Sequence, residues 1–158
     1  MKVLFDTNVI IDIWKKDPDF FLDSYAAYDI CLLRGWEPYV AVTAVPDIEY
    51  LLMARGILPK RKAAEAMDAL FKMFSIADAQ ECDCVLAQQS NLPDLEDGII
   101  AYSALRNGMD TIVTRNMKDF VKSPVAALTP TDFVATYKPA NVNYDRADWG
   151  ETAGESSS

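Results

Sequence analysis

Histidine is absent from the 158 residues, which rules out Ser-His-Asp and Cys-His catalysis and histidine-ligated zinc within the chain. Cysteine is scarce. Cys31, Cys82 and Cys84 are an odd number, and Cys82-x-Cys84 lacks the two-residue gap and second ligand pair of a zinc site. Idle or buried thiols in a reducing compartment are the expectation. No run approaches the roughly 20 apolar residues needed to span a bilayer. The opening Met1-Lys2-Val3-Leu4-Phe5-Asp6 lacks a signal peptide's apolar stretch, so a cytoplasmic protein with no membrane partner is expected. Positive charge is also short: 15 Lys and Arg against 24 Asp and Glu leave a net charge of −9. That argues against a broad basic face for nucleic acid. The objection is weakened by Asp145, Asp148, Glu151 and Glu155, which gather near the C-terminus, and by other acids that stand where a cation would neutralise them. Without histidine, any hydrolysis falls to carboxylates.

A 51% hydrophobic composition over this length supports one substantial core and one domain. Apolar runs alternate with helical patterns as in repeated β-α units, which predicts an α/β fold: a three-layer α/β/α sandwich around a central parallel sheet of about five strands. Strands are expected at Val3–Phe5, Tyr39–Val42, Ser75–Ala77, Thr111–Val113 and Val125–Leu128. Helices are expected at Val9–Trp14, Phe20–Arg34, Ala44–Arg55, Lys60–Phe74, Glu81–Gln89, Leu95–Asn107 and Thr131–Tyr137. In Lys60–Phe74 the residues Ala63, Ala66, Met67, Leu70 and Phe71 recur at helical spacing. Residues 1–138 form the expected domain. Residues 139–158 turn polar and end in Glu155-Ser156-Ser157-Ser158, too little apolar surface to order a tail, with Tyr144 and Trp149 as its only anchors for a partner.

In a parallel α/β sheet, ligands bind beyond the carboxyl ends of the strands, and the acids fall there. Asp6 follows the first strand directly, with Thr7 and Asn8 placed to orient it, and capping of the next helix explains it equally well. Asp47 and Glu49 stand near the start of the helix after the second strand, where helix-dipole complementarity is the plainer explanation. Residues two apart on a helix point about 200° apart, so only one of the two reaches a shared site. Asp94 and Asp97 open a further helix and share a face beside Ile100, Ala101 and Ala104, while Glu96 points elsewhere. A carboxylate beside an apolar stripe is costly unless paired or bound to a cation, which singles out Asp97. Thr114, Asn116 and Asp119 come straight off the fourth strand. One or two Mg²⁺ or Mn²⁺ ions on such oxygen ligands would activate water toward a phosphodiester.

Three stretches carry a family resemblance: Val3-Leu4-Phe5-Asp6-Thr7-Asn8-Val9-Ile10-Ile11-Asp12, Asp94-x-x-Asp97 followed by Ala101 and Ala104, and Ile112-Val113-Thr114-Arg115-Asn116-x-x-Asp119-Phe120. Over about residues 2–137 the chain resembles PIN domains, the nuclease fold of VapC-type toxins in bacterial toxin–antitoxin pairs. By that resemblance Asp6, Asp97 and Asp119 are the first, third and fourth catalytic acids and hold the metal, supported by Asn8, Asp94, Thr114 and Asn116. For the second acid, Thr43 six residues before Glu49 fits the usual pattern, whereas Asp47-Ile48 fits one branch of the family; Glu49 is preferred, with Asp47 in support. Asn116 stands where many relatives have Asp, which favours a single ion. The resemblance implies ribonuclease activity, an RNA substrate, an antitoxin partner and a homodimer.

Phosphate contacts are sought at Arg115 and Lys118, with Lys15-Lys16 and Lys60-Arg61-Lys62 as further basic clusters. Phe20, Phe21, Tyr25, Tyr28 and Trp36 are read as core or dimer-seam residues rather than base-stacking platforms. Two rival readings stand beside the nuclease. A catalytically inactive PIN-like module binding RNA or protein is favoured by Asn116 and the negative charge. A phosphatase with Asp6 as nucleophile wants a second Asp where Asn8 stands.

Overall fold

The computed structural model describes residues 1–144. Five strands, β1 (Lys2–Phe5), β2 (Glu37–Ala41), β3 (Ser75–Ala77), β4 (Thr111–Val113) and β5 (Ala127–Leu128), form one parallel sheet in the order β3-β2-β1-β4-β5. The short strands read as nearly unbroken apolar runs because helices cover both faces. In β1, Val3 and Leu4 are fully buried and Phe5 nearly so. The order in which successive strands are added reverses between β1 and β4, and the crevice at such a switch point is where α/β folds bind ligands.

The described helices are α1 (Thr7–Lys15), α2 (Phe21–Leu33), α3 (Ala44–Ala54), α4 (Lys60–Met73), α5 (Glu81–Gln89), α6 (Leu95–Arg106) and α7 (Pro130–Tyr137), with a 3-10 turn at Met117–Asp119. This is the expected three-layer sandwich. β5 is shorter than expected because the Val125 carbonyl accepts from the Ser123 hydroxyl at 2.7 Å, closing a turn instead of extending the ladder. Of the aromatics, Tyr28 packs on Phe74, with ring centroids 5.1 Å apart, and Trp36 meets Tyr137 edge-on at the same separation, whereas Phe20, just before α2, stays exposed. None of the described helices is long and apolar enough to cross a membrane.

The placement of α6, which carries Asp97, depends on close contact with α5. A Cβ added at Gly98 would stand 2.9 Å from the Ala87 Cβ and 3.4 Å from its Cα. Arg106, in the last turn of α6, forks onto the buried Asp83 of α5 (2.8 Å) and onto Asp78 (3.2 Å), fixing the far end. We expect Gly98→Val to force the helices apart and cost about 2 kcal/mol, the usual penalty of overpacking. A thermal melt identical to wild type would show that the contact is dispensable.

Beyond α7 the chain returns to the body, for the Tyr144 hydroxyl donates to Asp29 Oδ2 of α2 at 2.5 Å. The start of the expected tail is therefore tied to its own domain, and Tyr144 anchors intramolecularly. Residues 145–158, with Trp149, lie outside the described residues.

Candidate active site

Asp6 continues the β1–β4 ladder by one bond, its N–H donating to the Val113 carbonyl at 2.9 Å, and so stands where the two strands part. Its carboxylate accepts from Thr7 N–H (2.8 Å), Asn8 Nδ2 (2.9 Å) and the Thr114 hydroxyl (2.7 Å). Asp6 is both the N-cap of α1 and the buried acid of the crevice, so the two explanations offered by the sequence hold at once. Burial pushes its pKa up, against the three hydrogen bonds, and Asp119 adds to the rise. Thr114 and Asn8 form a common support. The Thr114 hydroxyl also accepts from Asn116 N–H (2.9 Å), and Asn8 Oδ1 accepts from Arg115 N–H (3.2 Å), which docks the loop after β4 onto α1. Within that loop Asn116 Nδ2 donates to Asp119 Oδ2.

Four stretches converge on one cleft of about 770 Å³, bounded by Asp6, Thr7 and Asn8, by Asp47 with Tyr50 and Leu51, by Pro93, Asp94, Glu96 and Asp97, and by Arg115, Asn116 and Asp119. Asp94 caps α6 by accepting from Glu96 N–H (2.8 Å) and Asp97 N–H (3.3 Å), which aims the first turn at the cleft. Asp97 is raised to about 7, first by desolvation and then by the charges of Asp6, Asp94, Asp119 and Glu96.

Two placements differ from the sequence reading. Glu49 is exposed and does not line the cleft, whereas Asp47 does. On α3 the cleft face runs Asp47, Tyr50, Leu51, the i, i+3, i+4 stripe, and Glu49 falls off it. Glu96, assigned to another direction, also lines the cleft and is raised by burial and by a side-chain hydrogen bond with Asp47. The neighbouring Asp47 charge adds to that rise, because like charges side by side disfavour ionisation.

The phosphate contacts also need revision. Arg115 borders the cleft, but its guanidinium is bidentate to Asp12 of α1, with Nε at 2.7 Å and Nη2 at 3.1 Å, and lies 4.0 Å over the Phe20 ring. Its charge is already matched. Lys118 is exposed and does not line the cleft. The sequence reading passed over Asp12 and Tyr50. Asp12 had a signal, a lone acid within the apolar run Ile10-Ile11-Asp12-Ile13, and it is 2% exposed.

The donor chemistry fits a hard divalent cation: the ligand candidates are all oxygen, several acids crowd one cleft, and Arg115, the cation among its lining residues, is engaged with Asp12. Among the described residues no three acids or thiols stand close enough together to bracket an ion as they are placed. Thr43 Oγ1, at the start of α3, is the described buried side-chain oxygen without a hydrogen-bond partner.

A family model described as PIN domain matches residues 2–118. No curated protein sequence matches. Among solved structures the chain is similar to that titled VapBC2 from Rickettsia felis bound to a DNA fragment from their promoter, at 17% identity and TM-score 0.64, covering 82% of this chain and 98% of that one. It is similar to FitAcB from Neisseria gonorrhoeae at 22% identity and TM-score 0.63, covering 82% and 98%. It is also similar to PAE2754 from Pyrobaculum aerophilum at 15% identity and TM-score 0.59, covering 85% and 88%. Identities this low bear on the fold. The family match spans most of the chain and includes β1 through β4, the strands that deliver Asp6, Asp47 and the Thr114 loop, and on that ground the chain belongs to the PIN-domain family.

Proposed function

We propose that this protein is an endoribonuclease dependent on Mg²⁺ or Mn²⁺, and the toxin of a type II toxin–antitoxin pair. The observation that carries the reading is the convergence of Asp6, Asp47, Asp97 and Asp119 on one cleft at the β1–β4 switch point. Asp6, Asp97 and Asp119 would hold the ion, which when bound supplies a Lewis acid for phosphate and a water of lowered pKa. Asn8 and Thr114 hold Asp6 in one orientation, Asn116 holds Asp119, and the Asp94 cap holds Asp97 at the cleft. Asp47 is the second acid, with Glu96 beside it on the cleft wall. Tyr50 and Leu51 provide an apolar wall for the nucleotide.

The test is Mn²⁺-dependent cleavage of single-stranded RNA. Wild type is expected to cut and Asp97→Asn is not; an inactive binding module cuts in neither form. The toxin assignment follows from the VapC-type resemblance and from likeness to the VapBC2 and FitAcB structures. It has its own test: expression of the chain alone arrests growth of a bacterial host, and Asp6→Ala relieves the arrest. An indifferent host leaves the nuclease and removes the toxin. A homodimer and a cytoplasmic location belong to the same proposal, and gel filtration coupled to light scattering checks the first.

A further inference from the structure

A second cavity, of about 270 Å³, adjoins the acid cleft, and Arg115 borders both. Its other walls are Phe20, Asp23 and Ser24 around the start of α2, and Thr129 to Thr131 at the start of α7. Phe20 is apolar yet 41% exposed. Its ring carries the Arg115 guanidinium at 4.0 Å, and that guanidinium is held in place by the Asp12 fork. The result is a rigid cation–aromatic stack with surface still open to the pocket, a surface suited to a planar ring.

The polar complement narrows what that ring is. Asp23 Oδ2 accepts from the Thr131 hydroxyl at 2.6 Å, and a carboxylate has capacity for several further donors. A carboxylate repels phosphate, and Arg115 is already neutralised by Asp12, so the pocket disfavours an anion. A base edge presenting N–H groups is what it favours. Among the RNA bases guanine alone offers two adjacent donors, N1–H and N2–H₂, to one carboxylate; adenine and cytosine pair an amino group with an acceptor, and uracil flanks a single N–H with carbonyls.

We propose that this pocket is a nucleobase subsite for guanine, in which the Phe20–Arg115 stack carries the ring and Asp23 accepts from its N1–H and N2–H₂. The inference rests on reading the neighbouring cleft as an RNA site and gives that site a sequence preference. A strand with its phosphate among the acids would pass Arg115 and seat the neighbouring base here.

The experiment measures binding and cleavage separately. Fluorescence anisotropy is recorded for labelled oligouridylates carrying a central guanine, inosine or adenine, on Asp97→Asn protein alone and with Asp23→Ala, Asp23→Asn or Phe20→Ala added. Guanine is expected to bind about tenfold tighter than adenine, with inosine, which lacks the 2-amino group, between them. Asp23→Ala erases the preference. Asp23→Asn, which keeps an acceptor for Thr131, erases it too, and Phe20→Ala weakens every oligonucleotide about tenfold, the loss of one stacked base. A preference that survives both Asp23 variants overturns the subsite, as does equal binding of all three oligonucleotides. Absence of RNA binding together with capture of an arginine-rich peptide by the pocket assigns it to a protein partner and also overturns it. Cleavage by wild type without guanine preference leaves the nuclease and removes the subsite. Guanine-selective binding without cleavage does the reverse.

Discussion

Asp97→Asn is expected to lower the proposed RNA cleavage by about 10²–10³-fold, the scale of losing one electrostatic contributor to a phosphoryl or acyl transition state, and to raise the thermal stability of the metal-free protein at pH 8. The opposite signs come from one cause. Asp97 is raised to about 7 from its ordinary 3.8 by desolvation and by the surrounding Asp6, Asp94, Asp119 and Glu96. A folded-state pKa above the unfolded value means that the folded protein holds the proton more tightly. The contribution of Asp97 to stability is therefore fully present below about 4 and is lost as pH rises through about 7. At pH 8 the ionised side chain is a liability that the amide lacks. Discounted for the solvent that reaches a half-buried group, the gain is about 1 kcal/mol, or about 3 °C in a domain of this size. Below pH 4 the two proteins melt together. Added Mg²⁺ raises the wild-type melting temperature at pH 8 through preferential binding to the folded state, and the amide variant loses most of that rise. Should the variant lose activity yet melt below wild type at every pH, Asp97 is a packing residue and the cleft is not built around cation neutralisation.

The parts of this site that the sequence discloses are those where one element carries the whole signal. Val3–Phe5 followed at once by Asp6, and Thr111–Val113 followed by Thr114, mark strand ends that carry polar groups to one sheet edge, whether or not Asp6 also caps the next helix. Asp97 betrays itself as an acid beside an apolar stripe. What a sequence conceals is the phase of one element against another. The choice between Asp47 and Glu49 depends on which 100° sector of α3 faces α6, and no periodicity within Ala44–Ala54 encodes that, because the cleft face there is as polar as its surroundings. Glu96 fails the single-helix test for the same reason: the cleft wraps the first turn of α6, so neighbours that diverge on a helical wheel both meet it. Arg115 shows a further limit. Its position beside the acids suggested a phosphate clamp, yet whether an arginine is available depends on a partner a hundred residues away in Asp12.

That partner makes Asp12→Ala a variant expected to lose stability and turnover together. Asp12 is 2% exposed and accepts from Ser24 Oγ (3.1 Å) as well as from Arg115, joining α1, α2 and the loop after β4. Burial raises its pKa, and the Arg115 and Ser24 bonds oppose the rise. Removing the carboxylate leaves the fully buried Ser24 hydroxyl without its acceptor and Arg115 without its counter-charge. Breaking a fully buried pair costs about 3–5 kcal/mol. Arg115 keeps 33% of its side chain in solvent, which lowers the expected loss to about 2 kcal/mol, or about 6 °C. The same substitution frees the loop that carries Asn116 and Asp119, so kcat is expected to fall about tenfold, the lower end for misplacing an outer support of a metal site. A double-mutant cycle separates the fork from mere packing. With Arg115 already replaced by alanine, Asp12→Ala costs less than it does in wild type, because the coupling between the pair is gone. Strict additivity across that cycle would mean that Asp12 and Arg115 stabilise the protein independently, and the clasp on the Asp119 loop would have to lie elsewhere.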